Sequence, residues 1–155
     1  MILSIAVSFP KIIGCYAATF FVIFYLGYLF AGWMVTRWGA GWEIRGLDDL
    51  ASLPVLLIVL AVLTFVLNPV TNGFTRHFEH QADQFGLEAA HGLTPDSGQV
   101  AAQAFQIDGD AELADPAPNP VDVFLFYDHP PIPDRIRFAL SYAPWSHGWH
   151  GEFVP

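Results

Sequence analysis

Two long uncharged stretches constrain this 155-residue chain more than any other feature. Ile12–Thr36 (IIGCYAATFFVIFYLGYLFAGWMVT) and Leu50–Thr75 (LASLPVLLIVLAVLTFVLNPVTNGFT) contain no Asp, Glu, Lys or Arg. Either exceeds the roughly 20 residues that a helix needs to cross a ~30 Å hydrocarbon core. In that core every backbone polar group must be satisfied internally, so helix is the expected form. The fold class is therefore mainly α, with two transmembrane helices (about 12–36 and 50–70) in a membrane region spanning 1–75. Residues 1–10 are apolar and closed by Pro10, and Arg37–Leu50 is a short polar connection. A signal peptide would need a shorter apolar region and an A-x-A-like cleavage site, and neither fits the first stretch. Tyr25, Tyr28, Trp33, Trp38 and Trp42 crowd towards one end of the first span, as aromatic residues do at a membrane interface. Asn68-Pro69 predicts a kink or break, because a residue before proline disfavours the α region. Lys11 and Arg76 balance Arg37 and Arg45, so basic residues do not set an orientation.

Composition supports this reading. Charged residues make up only 14% of the chain, against about 25% in an ordinary soluble domain. The net charge of −9 comes from 15 acids against 6 bases, which excludes nucleic acid as a partner. A single cysteine, Cys15, allows neither a disulfide framework nor a cysteine-based zinc site.

The densest set of chemically capable groups lies where the second apolar stretch ends, in Asn68–Gly86 (NPVTNGFTRHFEHQADQFG). Asn68, Asn72, Arg76, Glu79 and Asp83 recur at spacings of four, four, three and four, which puts them on one helical face. Phe74, Phe78, Ala82, Phe85 and Ala89 form an apolar stripe on the same segment. The plain reading is a solvated face with an Arg76–Glu79 pair worth about 0.3 kcal/mol. The alternative is a carboxylate pair that is paired or metal-bound, since burial of carboxylates is otherwise costly.

Downstream, His91-Gly92 marks a helix end and Gln99–Ile107 a short helix. Asp108–Pro120 (DGDAELADPAPNP) reads as an exposed acidic, proline-rich loop, about 108–120, without the spaced ligands of a calcium site. Val121–Tyr127 is a short apolar segment leading into Asp128-His129-Pro130-Pro131. Ile132–Ala143 predicts a further helix with Pro133 in its first turn, and the tail from Pro144, with Trp145, His147, Trp149 and His150, reads as irregular.

The order of an apolar span, Phe78-Glu79-His80-Gln81-Ala82-Asp83, an acidic loop, and then His129-Pro130-Pro131 with Arg135 resembles a known family. It is similar to the C-terminal part of the integral-membrane zinc metallopeptidases, the type I CAAX prenyl endopeptidases and their HtpX-like relatives. The resemblance implies that residues 72–155 are the C-terminal part of a zincin-type metallopeptidase domain. By it, Glu79 is a zinc ligand, Asp83 orients a ligand histidine, His129 donates to an oxyanion, and Arg135 positions substrate or buttresses that loop. It also implies a peptide or protein substrate, prenylated or membrane-bound, and an integral, multi-pass protein of the lipid bilayer, the cell membrane if bacterial.

The departure from the pattern is that no His-Glu-x-x-His occurs among the 155 residues. His77 and His80 have the wrong spacing, and His147 and His150 lie in a Gly/Trp-rich setting unsuited to a makeshift site with Glu79. Two further zinc ligands are then expected from a missing upstream segment or N-terminal half, and the chain alone is expected to be inactive. The alternative is a non-enzymatic two-span membrane protein whose acidic C-terminal domain binds a partner.

Overall fold

The computed structural model describes residues 2–148 and 150–154. The chain is helical throughout, with α1 (Ile2–Trp38), α2 (Leu53–Ala90), α3 (Ser97–Glu112), α4 (Pro120–Phe126) and α5 (Ile132–Ser141). It divides into two compact units, Lys11–Thr71 and the set formed by Met1–Pro10 with Asn72–Pro155.

The Lys11–Thr71 unit has a small core of Ala31, Val35, Ile44, Val55 and Val59, flanked by Met34, Leu47, Leu56 and Leu63. Asp49 shapes the connection, accepting hydrogen bonds from the backbone N–H of Ala51 and Arg45. Both long helices are apolar enough to cross a membrane by length and composition. On α1, Phe20, Phe21, Phe24, Tyr25 and Tyr28 are all exposed. α1 runs through Pro10 and α2 through Pro69, so of the kink or break that Asn68-Pro69 suggests, the break does not occur. A proline deletes one intrahelical donor, and the rest of a long helix's ladder remains in place around it. The Thr71 hydroxyl donates to the Asn68 carbonyl at 2.9 Å beside Pro69.

In the unit beginning at Asn72, α3 and α5 pack antiparallel. Two glycines mark the contact. A Cβ on Gly98 would lie 2.5 Å from the Ala139 carbonyl oxygen, and one on Gly109 would lie 2.9 Å from Ile132 Cγ2. Ala102 and Ala139 are buried between them with Leu87 of α2, and Phe105, Ile136, Phe138 and Tyr142 complete the cluster. Gly109 explains why α3 continues through Asp108–Glu112, where the sequence suggests the start of a loop. The glycine serves close packing on α5, and Leu113 in the left-handed region (φ 54°) closes the helix. The segment 120–126 is the helix α4, capped by Asn119, whose side chain accepts from the Val121 N–H. α2 ends before Gly92 (φ 81°), as the His91-Gly92 signal predicts. The Phe stripe of α2 is less buried than its pattern suggests: Phe74 is exposed, and Leu87 supplies the helix's core contact. The tail forms a short 3₁₀ turn at Pro144–His147, and Trp149 lies outside the described residues.

The tail is held by a residue that periodicity does not single out. Glu88 is 4% exposed. Its carboxylate accepts from the Tyr142 hydroxyl, from Gln84 Nε2, and from the backbone N–H groups of Glu152, Phe153 and Val154. A buried carboxylate is tolerable only with such a set of donors. Burial and the Glu88 carboxylate push the Tyr142 hydroxyl up to about 12. The stabilisation from protonated Tyr142 is therefore intact below the ordinary tyrosine range and is lost as pH rises past about 12.

Glu88→Gln leaves one acceptor oxygen where two are needed. It should cost about 2–4 kcal/mol, since hydrogen bonds to charged groups are worth roughly 1.5–3 kcal/mol each. Amide exchange at Glu152–Val154 should accelerate, and Tyr142 should titrate nearer its ordinary value of about 10. Unchanged exchange at those three amides would refute the clamp.

Candidate active site

The polar face of α2 is the base of the site. Each of its last four members meets a partner from the stretch that runs from α4 through the connector into α5. Asn72 Nδ2 donates to the Leu125 carbonyl at 3.1 Å. Arg76 Nη1 donates to the Val123 carbonyl at 3.0 Å and to the Tyr127 carbonyl. Glu79 Oε1 lies 2.5 Å from His129 Nδ1. Asp83 receives both arms of Arg135, Nε to Oδ2 at 2.8 Å and Nη2 to Oδ1 at 2.7 Å. Apart from the bond from Arg76 back to Val123, the order along α2 follows the order along the facing stretch, so a spacing rule on one helix becomes a paired track.

Local sequence explains why the facing segment can follow that track. Asn119 and Pro120 start α4 firmly, proline being suited to a first helical turn. Tyr127 leaves the helix in an extended conformation. Pro130 and Pro131 restrict the chain after His129, and the Pro131 carbonyl accepts from Asp134 and Arg135 N–H at the start of α5. His129 therefore sits on a short, stiff connector between two helices.

The two ionic contacts differ in character. Asp83 and Arg135 are enclosed, with side chains 8% and 18% exposed, and the Arg135 guanidinium also lies 4.2 Å over the Phe105 ring of α3. A planar guanidinium suits both the bidentate and the stacked contact. His129 is 61% exposed. The hydrogen bond to Glu79 raises its pKa against the opposing effect of burial, and the charges of Glu79 and Asp128 add to the rise.

These groups line a cleft of about 620 Å³. Its walls also carry Asp108, Glu112 and Asp115 from the end of α3 and beyond, and Asp128 from the connector. Glu79, Asp83, His129 and Arg135, the four residues singled out by sequence, all face it. The contribution of Asn72 and Arg76 is missed by sequence reasoning, which offers Arg76 to Glu79; in the structure Arg76 turns to main-chain carbonyls and Glu79 to His129. The other histidines have different surroundings: His80 packs on Phe138 at 4.2 Å and His91 stacks on Trp145 at 3.8 Å. Among the described residues no three His, Cys, Asp or Glu side chains gather to hold a metal ion. Glu79 could offer one carboxylate, and the described residues by themselves do not make a complete metal site.

Removing one partner of an enclosed ion pair strands the other, which costs about 3–5 kcal/mol. Asp83→Ala should destabilise this unit by that amount, and Asp83→Ala with Arg135→Met should cost clearly less than the two single changes summed. Denaturant unfolding followed by Trp145 fluorescence measures both. Simple additivity would show that the pair is not coupled.

Comparison with known proteins places the chain in a family. The chain is 38% identical over 98 residues to the uncharacterized metalloprotease YhfN of Bacillus subtilis (strain 168), a match covering 63% of this chain and 22% of that protein. The chain thus spans well under two thirds of its relative's length. No solved structure matches it. The model of peptidase family M48 matches residues 12–143, nearly the whole sequence, and the chain belongs to that metallopeptidase family.

Proposed function

We propose that this chain is the C-terminal portion of a membrane-embedded zinc metalloendopeptidase. The observation that carries the reading is the convergence of Glu79 and His129 at 2.5 Å in a cleft whose rear is braced by Asp83 and Arg135. A merely solvated stripe, as in the non-enzymatic alternative, gives no reason for such convergence.

In this reading Glu79 supplies one zinc ligand, a role open to a carboxylate beside two imidazoles. The other two ligands come from a His-Glu-x-x-His segment that these 155 residues lack, so the chain alone does not hydrolyse peptides. His129, with its pKa raised and its ring exposed to the cleft, is suited to donate a hydrogen bond to the oxygen that gains charge during attack on a peptide carbonyl. Asp83 and Arg135 act behind it, as a fixed pair that sets where α5, and so the His129 connector, lies against α2. The two long apolar helices, with the outward aromatic side chains of α1, support a multi-pass protein held in the bilayer. Substrates are peptides or proteins, prenylated or membrane-bound.

The test is peptide hydrolysis by a longer protein that carries His-Glu-x-x-His ahead of this sequence. Glu79→Gln should abolish zinc-dependent turnover. His129→Ala should lower kcat by about 10²–10³-fold, as loss of one oxyanion donor does. Full activity in either variant would sink the assignment. Robust zinc-dependent hydrolysis by the 155-residue chain itself, lost in Glu79→Ala, would overturn its inactivity in isolation.

A further inference from the structure

We infer that Arg76 is the positioning residue for His129, acting through the backbone of the connector and not through Glu79. The inference rests on the reading of Glu79 and His129 as parts of the peptidase site.

The starting point is the end of α4. The last carbonyls of any helix lack intrahelical partners, and short helices most often close with a left-handed glycine. α4 has seven residues and no such closure, because Tyr127 leaves it extended (φ −82°, ψ 118°). Its open end is filled from α2. The Arg76 guanidinium takes the Val123 and Tyr127 carbonyls, and Asn72, 6% exposed, takes that of Leu125. A guanidinium is well matched to this place, since its fork reaches two acceptors and its charge complements the negative end of a helix.

The consequence falls on His129. Its side chain is 61% exposed, so packing does not hold it, and its polar contacts are with Glu79 and Asp128. The position of its ring therefore comes from its backbone together with the Glu79 contact. That backbone is anchored two residues upstream by Arg76 on the Tyr127 carbonyl, and two residues downstream by Pro131, whose carbonyl accepts from the first turn of α5. The downstream anchor is in turn fixed to α2 by Arg135 on Asp83. Arg76 and Glu79 stand three residues apart on one helix, so the clamp and the target of His129 are built on the same rigid element. Loss of the upstream anchor leaves the connector held at one end only.

The test is magnetic resonance of the isotope-labelled full chain in detergent micelles, observing the His129 ring and the amide exchange of residues 127–154. With Arg76→Ala, the ring Nδ1–H signal that Glu79 protects should vanish into solvent exchange. The amides of Glu152–Val154, held by Glu88, should keep their protection. Arg76→Lys, able to reach one carbonyl, should restore part of the His129 signal, which a purely bulk-packing role for Arg76 would not produce. An unchanged His129 ring in Arg76→Ala overturns the inference. Should Arg76→Ala also release Glu152–Val154, Arg76→Gln decides: a displaced His129 with a protected tail supports the clamp, and an undisturbed His129 defeats it. No peptide or metal enters this measurement, so failure of a longer protein to hydrolyse peptides would count against the peptidase reading alone.

Discussion

The contact on which the Asn72–Pro155 unit depends is the bidentate pair of Asp83 and Arg135. It joins α2 to α5 directly, and through the Phe105 ring beneath the guanidinium it joins both to α3. The apolar core here is small, with Leu87, Ala102 and Ala139 as its buried members. Such a core cannot by itself dictate one orientation for three helices, because small apolar contacts are permissive in direction. A planar pair with both oxygens and two nitrogens engaged is not permissive, and an enclosed charge that loses its partner is heavily penalised. The pair thus selects one arrangement of α2, α3 and α5 from several that would bury similar area.

Two further polar anchors extend that selection in opposite directions along α2. Towards its N-terminal side, Arg76 and Asn72 hold the open end of α4. Towards its C-terminal side, Glu88 gathers the chain's last residues with Tyr142 and Gln84. All three anchors join a charged side chain to partners at least 47 residues away in sequence. A unit with few large buried side chains is held instead by fully satisfied polar contacts on one helix, each costly to break because the groups are partly removed from water.

What the sequence reveals of this follows from which partners are periodic. The four-four-three-four spacing exposes the polar face of α2, since both ends of that regularity lie on one helix. The long uncharged runs expose α1 and α2 for the same reason. Partners that are main-chain carbonyls leave no trace in residue type, so Arg76 looks like half of a surface pair with Glu79, and Glu88 looks like an isolated acid after the motif. Glu88 does carry one faint signal, a carboxylate set between Leu87 and Ala89-Ala90 where an apolar residue would be expected. Asp108-Gly109-Asp110 misleads because a glycine among acids usually means a turn, while Gly109 is there to let α3 approach Ile132. Asn68-Pro69 does not end α2, because a proline removes one donor from a ladder that the rest of a 38-residue helix supplies.

The division of labour along α2 accounts for how Glu79 and His129 come to stand opposite each other. Glu79 is not held in place by its own burial, since its side chain is 28% exposed. It is held by belonging to a helix that is fixed on both sides, by Arg76 three residues before it and Asp83 four residues after. His129 is likewise fixed by a connector anchored at both ends. The two groups therefore stand opposite each other through contacts between helices, and the cleft they share is organised by those same contacts.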